Sequence, residues 1–497
     1  MTAPPPFTSH FLKGAAVVLV RYRPHLEVLL IHRSPTLKAY PDYWAFPGGR
    51  EDPEDINFAD TALRELFEET ALTLVAPPAY TEFQRLQWQK DLNTGNRSWT
   101  EIKKHLGYED LEPSLTFMGW RVAPPIHPVR FEAAYFYAEY TADDEAHISS
   151  EAQAAKWWRP QALIQSWERG EALIPPPVMG VLRTLAPVSR LEADTHQALR
   201  ALSNSRTELY QDMEIHPAVE MLPLRTPTLA PATHTNTYFV GKESFVVIDP
   251  ATPYPEEQAL LRERIQARMQ KGHQPIAVLL THHHADHIGA AADLQGHFKL
   301  PVLAHALTQK RLQQMGYPLT VDGLIDEGDA WELQWGETSL HLEALFTPGH
   351  APGHLCFIEK NQRFGVVGDM VAGIGSIVIQ HPANSSDPDG HMKNYLDSLE
   401  RLKSLNLCRA FPAHGPMITH PNITFTTYIE HRLAREQQIL ACLKDFPRQL
   451  SDLRHCVYPD LDSALTTFAE DALRAHLVKL TQEKRVFLEP SGFYVQS

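Results

Sequence analysis

Cysteine is scarce in this chain. There are four in 497 residues, Cys356, Cys408, Cys442 and Cys456, and no two form a CxxC pair. So few thiols in so long a chain predict a reducing compartment rather than a disulfide-built scaffold. Positive charge is also in short supply. Lys and Arg number 45 against 60 Asp and Glu, for a net charge of −15. That balance argues against a large basic nucleic-acid surface and leaves room only for a local groove. No apolar run is long enough to span a bilayer. The opening residues, MTAPPPFTSHFLK, lack the charged-then-apolar order of a signal peptide and an Arg-rich transit pattern. The expectation is a soluble cytoplasmic protein with no membrane partner.

Other residues are plentiful. The hydrophobic content of 43% is ample for globular cores, and the length implies two or three domains. The 39 prolines are spread out and mark loops. The 26 histidines exceed what a fold needs, which fits metal chemistry.

The densest histidine stretch is IAVLLTHHHADHIG, Ile276 to Gly289. Ile276 to Thr281 read as a buried strand, and a turn follows that carries His282, His284, Asp286 and His287. Imidazoles and a carboxylate packed this closely at a strand end are the donor set of zinc-like ions. In an extended loop His282, His284 and Asp286 point one way and His287 another, so one loop can serve two metals. Three further apolar strands end in a polar residue: His350 in HLEALFTPGH, Asp369 in RFGVVGDM and His414 in CRAFPAHGP. A lone His is usually structural, but recurrence at four strand ends favours convergence on one centre.

Upstream, AAVVLVRYR and EVLLIHRS read as a strand pair, and Pro47-Gly48-Gly49 breaks the chain before a helix that begins near Phe58. Glu65, Glu68 and Glu69 stand at i, i+3 and i+4 and share one face of that helix. The bland reading is a solvated acidic face. The specific one is a set of hard oxygen ligands for Mg²⁺ or Mn²⁺ beside a substrate's phosphates.

PGG followed by RELFEET resembles the Nudix box. Three departures stand out: Gly49 to Arg64 is one residue longer than the pattern, Asp55 stands near the first Glu position, and Ala71 replaces the Gly after the helix. GGREDPED, Met118 to Tyr140, Trp157-Trp158-Arg159-Pro160 and Pro175 to Pro177 resemble the coenzyme A diphosphatase branch, over roughly Leu12 to Ala186. The resemblance implies an α/β/α sandwich in which Glu65, Glu68 and Glu69 hold Mg²⁺ or Mn²⁺ and act in catalysis. Arg64 would orient a Glu, though Arg64 and Arg130 also read as plain surface arginines. The substrate implied is a small diphosphate or CoA-type molecule.

The order HxHxDH, TPGH, GD, HG resembles the metallo-β-lactamase superfamily and implies its αββα fold. By that resemblance His282, His284 and His350 hold one metal, and Asp286, His287 and His414 the other. Asp369 bridges them, Asp286 serves catalysis, and Asp249 supports the loop from behind. The metals implied are two Zn²⁺, with Mn²⁺ or Fe²⁺ as alternatives. His283 reads as solvent-facing, and His354 as either structural or substrate-side. GDMVAGIGSIVI, Met392 to Leu405, FPAHGPMI and the helix Tyr428 to Leu440 resemble the mitochondrial β-lactamase-like group, endoribonucleases on single-stranded RNA. Ile429, Leu433, Gln437 and Leu440 would form the buried face of that last helix. Arg432 and Arg435 would line a basic groove. The tail resembles a small winged helix, and capping the hydrolase core is its favoured role over binding nucleic acid.

The expected architecture is therefore a multidomain α/β chain. A Nudix domain spans 10–188, a linker 189–212, a metallo-β-lactamase domain 213–440 and a winged-helix-like domain 441–497. The leading functional reading is a bifunctional metal-dependent hydrolase whose second centre cleaves phosphodiesters in single-stranded RNA. The alternatives are a thioesterase acting on acyl-CoA or glutathione thioesters, and a ligand-sensing or RNA-binding protein with a silent Nudix domain.

Overall fold

The computed structural model describes residues 12–37, 40–74, 80–108, 115–123, 130–188, 213–379, 381 and 392–496. The chain divides into two compact units, Met1–Glu220 and Met221–Ser497. The expected linker, 189–212, lies outside the described residues.

In the first unit the strands are β1 (Leu12–Tyr22), β2 (Leu26–Arg33), β3 (Trp44–Ala45), β4 (Gly48–Arg50), β5 (Thr116–Val122), β6 (Phe131–Glu139) and β7 (Ala152–Trp158). The sheet runs β3-β2-β1-β6-β5, with β4 paired to β1 and β7 to β2. β1 and β6 are parallel; the other pairs are antiparallel. Strict alternation along β1 sorts its side chains. Ala15, Val17 and Leu19 meet Ala62 and Leu66 of helix α1 (Phe58–Thr70). Ala16, Val18 and Val20 meet Leu163, Val178 and Leu182 of the helices Pro160–Glu168 and Pro176–Leu185. Helices therefore cover both faces, the expected α/β/α sandwich.

The second unit is built on two sheets. One is a run of parallel and antiparallel strands in which Ser244–Ile248 and Gln274–Leu279 are central neighbours. The other comprises Ala330–Trp335, Thr338–Phe346, Leu355–Glu359, Phe364–Gly368 and Arg409–Pro412, in sequence order. The sheets pack face to face through pairs such as Tyr238 and Phe411, whose rings lie 5.9 Å apart. Leu261 and Ile265 of the helix Pro255–Gln270 cover the outside of the first sheet. Tyr395, Leu399 and Leu402 of the helix Met392–Ser404 cover the outside of the second. This is the expected αββα order.

The tail holds the helices Leu450–Val457 and Thr466–Gln482 and the hairpin Val486–Leu488/Tyr494–Gln496, matching the expected helices and ribbon. The boundary expected at 440/441 falls inside one continuous helix, Pro421–Leu443. Ile439, Leu440 and Leu443 of that helix share a core with Leu453, Leu473 and Leu477 of the tail. The tail thus packs against the last helix of the hydrolase core.

Three expectations need correction here. Leu433 is 42% exposed and Gln437 is exposed, so neither lies on the buried face of the long helix. That face runs through Phe425, Ile429, Arg432, Glu436, Ile439 and Leu443. Polar residues at two core positions hid it from a hydrophobic count. Arg432 and Arg435 line no groove. Arg432 is buried, donates to the Ile377 carbonyl and stacks over Tyr395, while Arg435 donates to the Val457 carbonyl and covers Tyr458. Finally, Cys442 and Cys456 form a disulfide with Cα atoms 6.2 Å apart, against the reduced thiols expected from the cysteine count. The turn between two helices brings them together, and a spacing of 14 residues did not reveal it.

Truncating Leu473, buried in this shared core, to Ala should cost about 2–5 kcal/mol. Urea unfolding of the variant and hydrogen exchange over 421–443 check it. Unchanged protection in that helix would mean that the tail is a separate domain.

Candidate active sites

The His-rich loop of the second unit is held from below by Asp249. This residue ends the strand Ser244–Ile248 in the left-handed region, with φ 50°. Its Oδ1 accepts from the Thr281 N–H at 2.8 Å, and its Oδ2 from the Thr281 hydroxyl at 2.6 Å. The same Oδ2 accepts from His287 Nδ1 at 2.8 Å. The short helix Ala285–Ile288 turns His287 back under the loop and carries Asp286.

All seven expected ligands converge. His282 Nε2 and His350 Nε2 lie 2.9 and 3.0 Å from His284 Nδ1. Asp369 Oδ2 is 3.3 Å from His350 Nε2 and 3.5 Å from His287 Nε2. Asp369 Oδ1 is 3.5 Å from His414 Nε2, which is 3.6 Å from Asp286 Oδ2. The ligand-type atoms form two groups, His282-His284-His350-Asp369 and Asp286-His287-His414, each within 4.8 Å. Asp369 reaches both groups.

Main-chain carbonyls set the tautomers. A carbonyl only accepts, so His350 Nδ1 donates to Val378 O at 2.9 Å and His414 Nδ1 to His234 O at 3.1 Å. Each ring then turns an Nε2 lone pair inward. His287 Nε2 and Asp369 Oδ1 are buried with no hydrogen-bond partner. Buried polar atoms are rarely left so, and the ring of inward lone pairs fits divalent cations. Burial, and then neighbouring imidazoles, hold His282 and His284 well below the usual histidine range. Neutral imidazole is the form that ligates. Burial opposes a charge on His287 too, but Asp369 and Asp249 outweigh it and hold this ring well above its ordinary value.

His354 is fully buried, so the substrate-side alternative falls. The Asp369 N–H donates to its Nε2 at 3.1 Å, so Nδ1 carries the proton and donates to the Thr347 hydroxyl at 2.9 Å. A Cβ on Gly368, whose φ is 47°, would sit 2.6 Å from His354 Nε2, which explains the glycine before Asp369. His283 is half-buried rather than solvent-facing, and burial followed by His350 pushes it down to about 4.

In the first unit, α1 starts on Asn57, whose side chain accepts from the Asp60 N–H. Trp99 Nε1 and Lys103 Nζ clamp Asp60 at 2.9 and 2.6 Å. Arg64 is no surface arginine. It donates to Asp55 through Nε (2.9 Å) and Nη2 (3.1 Å), to Glu68 Oε2 (2.9 Å) and to the Arg50 carbonyl (2.6 Å), and lies 3.0 Å from Glu65. Asp55, near the first Glu position of the irregular box, therefore grips the arginine. Glu69 accepts from the Gly48 N–H at 2.8 Å. A Cβ on Gly49 would meet Glu65 Oε1 at 2.5 Å, so only glycine lets the loop lie against that carboxylate. Ala71 takes φ 56° and its N–H still caps the Phe67 carbonyl at 2.7 Å, so the turn survives without glycine. Burial drives Glu65 up to about 7 and also raises Glu68 and Glu69; repulsion from Glu68 adds to the rise of Glu65, and from Glu65 to that of Glu69. Glu151, just before β7, raises all three and carried no sequence signal.

The folds and sites define two metal-dependent hydrolase scaffolds in one chain. The family described as metallo-beta-lactamase superfamily matches residues 230–414, and the NUDIX domain matches residues 12–175. An atrochrysone carboxyl ACP thioesterase of Aspergillus chevalieri is 30% identical over 269 residues, 52% of this chain and 79% of that protein. The lactamase-like protein vrtG of Penicillium aethiopicum is 27% identical over 292 residues, 56% of this chain and 85% of that one. A beta-lactamase domain protein from Burkholderia ambifaria shares the fold with TM-score 0.50 at 19% identity, covering 59% of this chain and 97% of that one. The chain belongs to the metallo-beta-lactamase superfamily and carries an N-terminal Nudix domain.

Two outcomes follow. Asp249→Asn should lower metal affinity by about 10–100-fold, read by competition with a chelator. For Glu65 the folded value, about 7, lies above the ordinary 4.5, so the native state binds the proton more tightly. Its stabilising contribution is present below 4.5 and lost as pH rises to about 7. In metal-free protein, protection of residues 58–70 from hydrogen exchange should therefore fall between pH 5 and 8, and added Mg²⁺ should restore it. Protection that rises with pH would contradict this account.

Proposed function

We propose that the chain is a bifunctional hydrolase, with a diphosphatase centre in the Nudix domain and an acyl-thioester hydrolase centre in the metallo-beta-lactamase domain. One observation supports hydrolysis at the second centre above the others: seven ligand-type side chains converge, and two of their buried polar atoms, His287 Nε2 and Asp369 Oδ1, have no hydrogen-bond partner. His282, His284 and His350 would hold one ion, Asp286, His287 and His414 the other, and Asp369 would serve both. Bound there, divalent ions supply Lewis acidity and acidify water at neutral pH. The protein's share is to orient His287, His350 and His414 through Asp249, Val378 and His234, and to keep Asp369 aimed through His354. In the first unit Glu65, Glu68 and Glu69 would hold Mg²⁺ or Mn²⁺, with Arg64 fixing Glu65 and Glu68.

The choice of a thioester over RNA rests on the arginines. An RNA phosphodiester calls for a cationic groove, and Arg432 and Arg435 are turned inward to carbonyls and rings. The similarity to proteins named as ACP thioesterases points the same way. Water would split the thioester into a carboxylic acid and a thiol, and the diphosphate into two phosphate products.

Metal-loaded protein should hydrolyse an acyl-CoA thioester, and Asp286→Asn should lower that rate by at least about a hundredfold, because even outer partners of a metal site cost 10–100-fold. Glu68→Gln should leave it intact while abolishing diphosphate cleavage. Labelled single-stranded RNA serves as the competing substrate. Cleavage of RNA that Asp286→Asn abolishes, with thioesters untouched, would replace this reading by the nuclease one.

A further inference from the structure

His414 stands on a bend that follows the strand Arg409–Pro412 of one sheet and is gripped by the strand His234–Gly241 of the other. The Asn236 N–H donates to Ala413 O at 2.8 Å. The side-chain nitrogen of Asn236, Nδ2, donates to Pro412 O at 2.9 Å and to Gly415 O at 2.8 Å, and lies 3.2 Å from the Tyr238 hydroxyl. That hydroxyl donates to Pro412 O at 2.6 Å. Together with the bond from His414 Nδ1 to His234 O, every residue from Pro412 to Gly415 is held by this strand.

Carbonyl oxygens only accept, so the atom facing Pro412 and Gly415 is the nitrogen, and the amide sits one way round. Its other end is left over. Asn236 is fully buried, and its Oδ1 has no hydrogen-bond partner among the described residues. A buried acceptor without a donor is unfavourable, and an apolar residue would avoid it. What Asn236 offers in return is its pair of donors. One holds the residue two before Gly415's neighbour Pro416, four positions back at Pro412, and the other holds Gly415 itself, so the pair brackets Ala413 and His414. Two main-chain bonds persist whatever stands at 236: Ala413 N–H to Gly368 O at 3.0 Å, and Gly373 N–H to His414 O at 2.7 Å. Loss of the amide therefore loosens the bend without removing it.

The two candidate metal groups depend on this bend unequally. Asp286 and His287 share the short helix Ala285–Ile288, and Asp249 holds His287. His414 completes their group. The other group, His282, His284, His350 and Asp369, takes no ligand-type atom from the bend.

We propose that Asn236 is a positioning residue of the second centre: its NH2 group bridges the two ends of the His414 bend and so fixes the last ligand of one ion but not of the other. The inference rests on the two-metal reading of this centre and adds the group that makes its second ion bind.

Zn²⁺ is titrated into the full-length chain against a chromophoric chelator, with Mg²⁺ in excess so that Zn²⁺ does not fill the glutamate cluster of the first unit. Asn236→Asp keeps the size of the side chain and turns an acceptor toward the two carbonyls. It and Asn236→Ala should each weaken one Zn²⁺ by about 10–100-fold and leave the other within about threefold. Tyr238→Phe removes one donor to Pro412 and spares the bridge, so it should weaken the same ion by less than about tenfold. In metal-free chain, hydrogen exchange over 409–415 should quicken in the Asn236 variants and stay unchanged over 279–288. Equal weakening of both ions marks a merely structural asparagine and overturns the proposal. Native-like binding of both ions by Asn236→Asp overturns it too, because volume and not the donors would then matter. Where circular dichroism shows neither Asn236 variant folded, Tyr238→Phe decides, and its binding both ions as the native chain does overturns the proposal. Faster exchange over 409–415 in a chain that binds no Zn²⁺ before substitution supports the bridge and overturns only the two-metal reading; unchanged exchange there overturns the bridge.

Discussion

The second centre depends on a single buried carboxylate. Asp249 is 2% exposed, and its two oxygens accept three hydrogen bonds, from the Thr281 main chain, the Thr281 hydroxyl and His287 Nδ1. These contacts fix the end of one strand to the end of the next and set the fully buried ring of His287. A buried carboxylate in such a place is costly unless its oxygens find donors, and here they do. The strained φ of Asp249 belongs to the same device, since it turns the side chain back under the loop. His350 and His414 are set by carbonyls of distant segments, Val378 and His234, so the centre is complete only when both sheets are assembled.

The first unit solves a different electrostatic problem. Three glutamates of one helix turn, joined by the field of Glu151, face one another with Arg64 as their paired cation. Asp55 takes two of that arginine's donors, so the glutamates stay under-neutralised. Such a cluster keeps its protons to an unusually high pH or takes up a divalent cation.

Both candidate sites were legible in the sequence to the extent that their candidate ligands are side chains with short, regular spacing. His282, His284, Asp286 and His287 lie within one loop, and Glu65, Glu68 and Glu69 within five residues. His350, Asp369 and His414 were legible because each follows an apolar strand. The main-chain groups that orient them were not, because every residue has a carbonyl and only the fold selects Val378 and His234. His283 and His354 illustrate the same limit. The residue letters say imidazole, while burial and one hydrogen-bond network decide what that imidazole does.

The long helix Pro421–Leu443 shows where hydrophobic periodicity misleads. Helical spacing from Ile429 selected Leu433 and Gln437 for the buried face, yet Arg432 and Glu436 occupy it. Each is satisfied by a specific partner: Arg432 by the Ile377 carbonyl, Glu436 by Lys479 at 2.9 Å. Ile377 immediately precedes Val378, whose carbonyl holds His350, so a polar residue in the core fixes the segment that positions a candidate ligand. A leucine at 432 would satisfy the pattern and leave that carbonyl without its donor. The departure from the apolar pattern therefore follows from the site: the helix gives up two hydrophobic positions, and in return one of them steadies the chain beside His350.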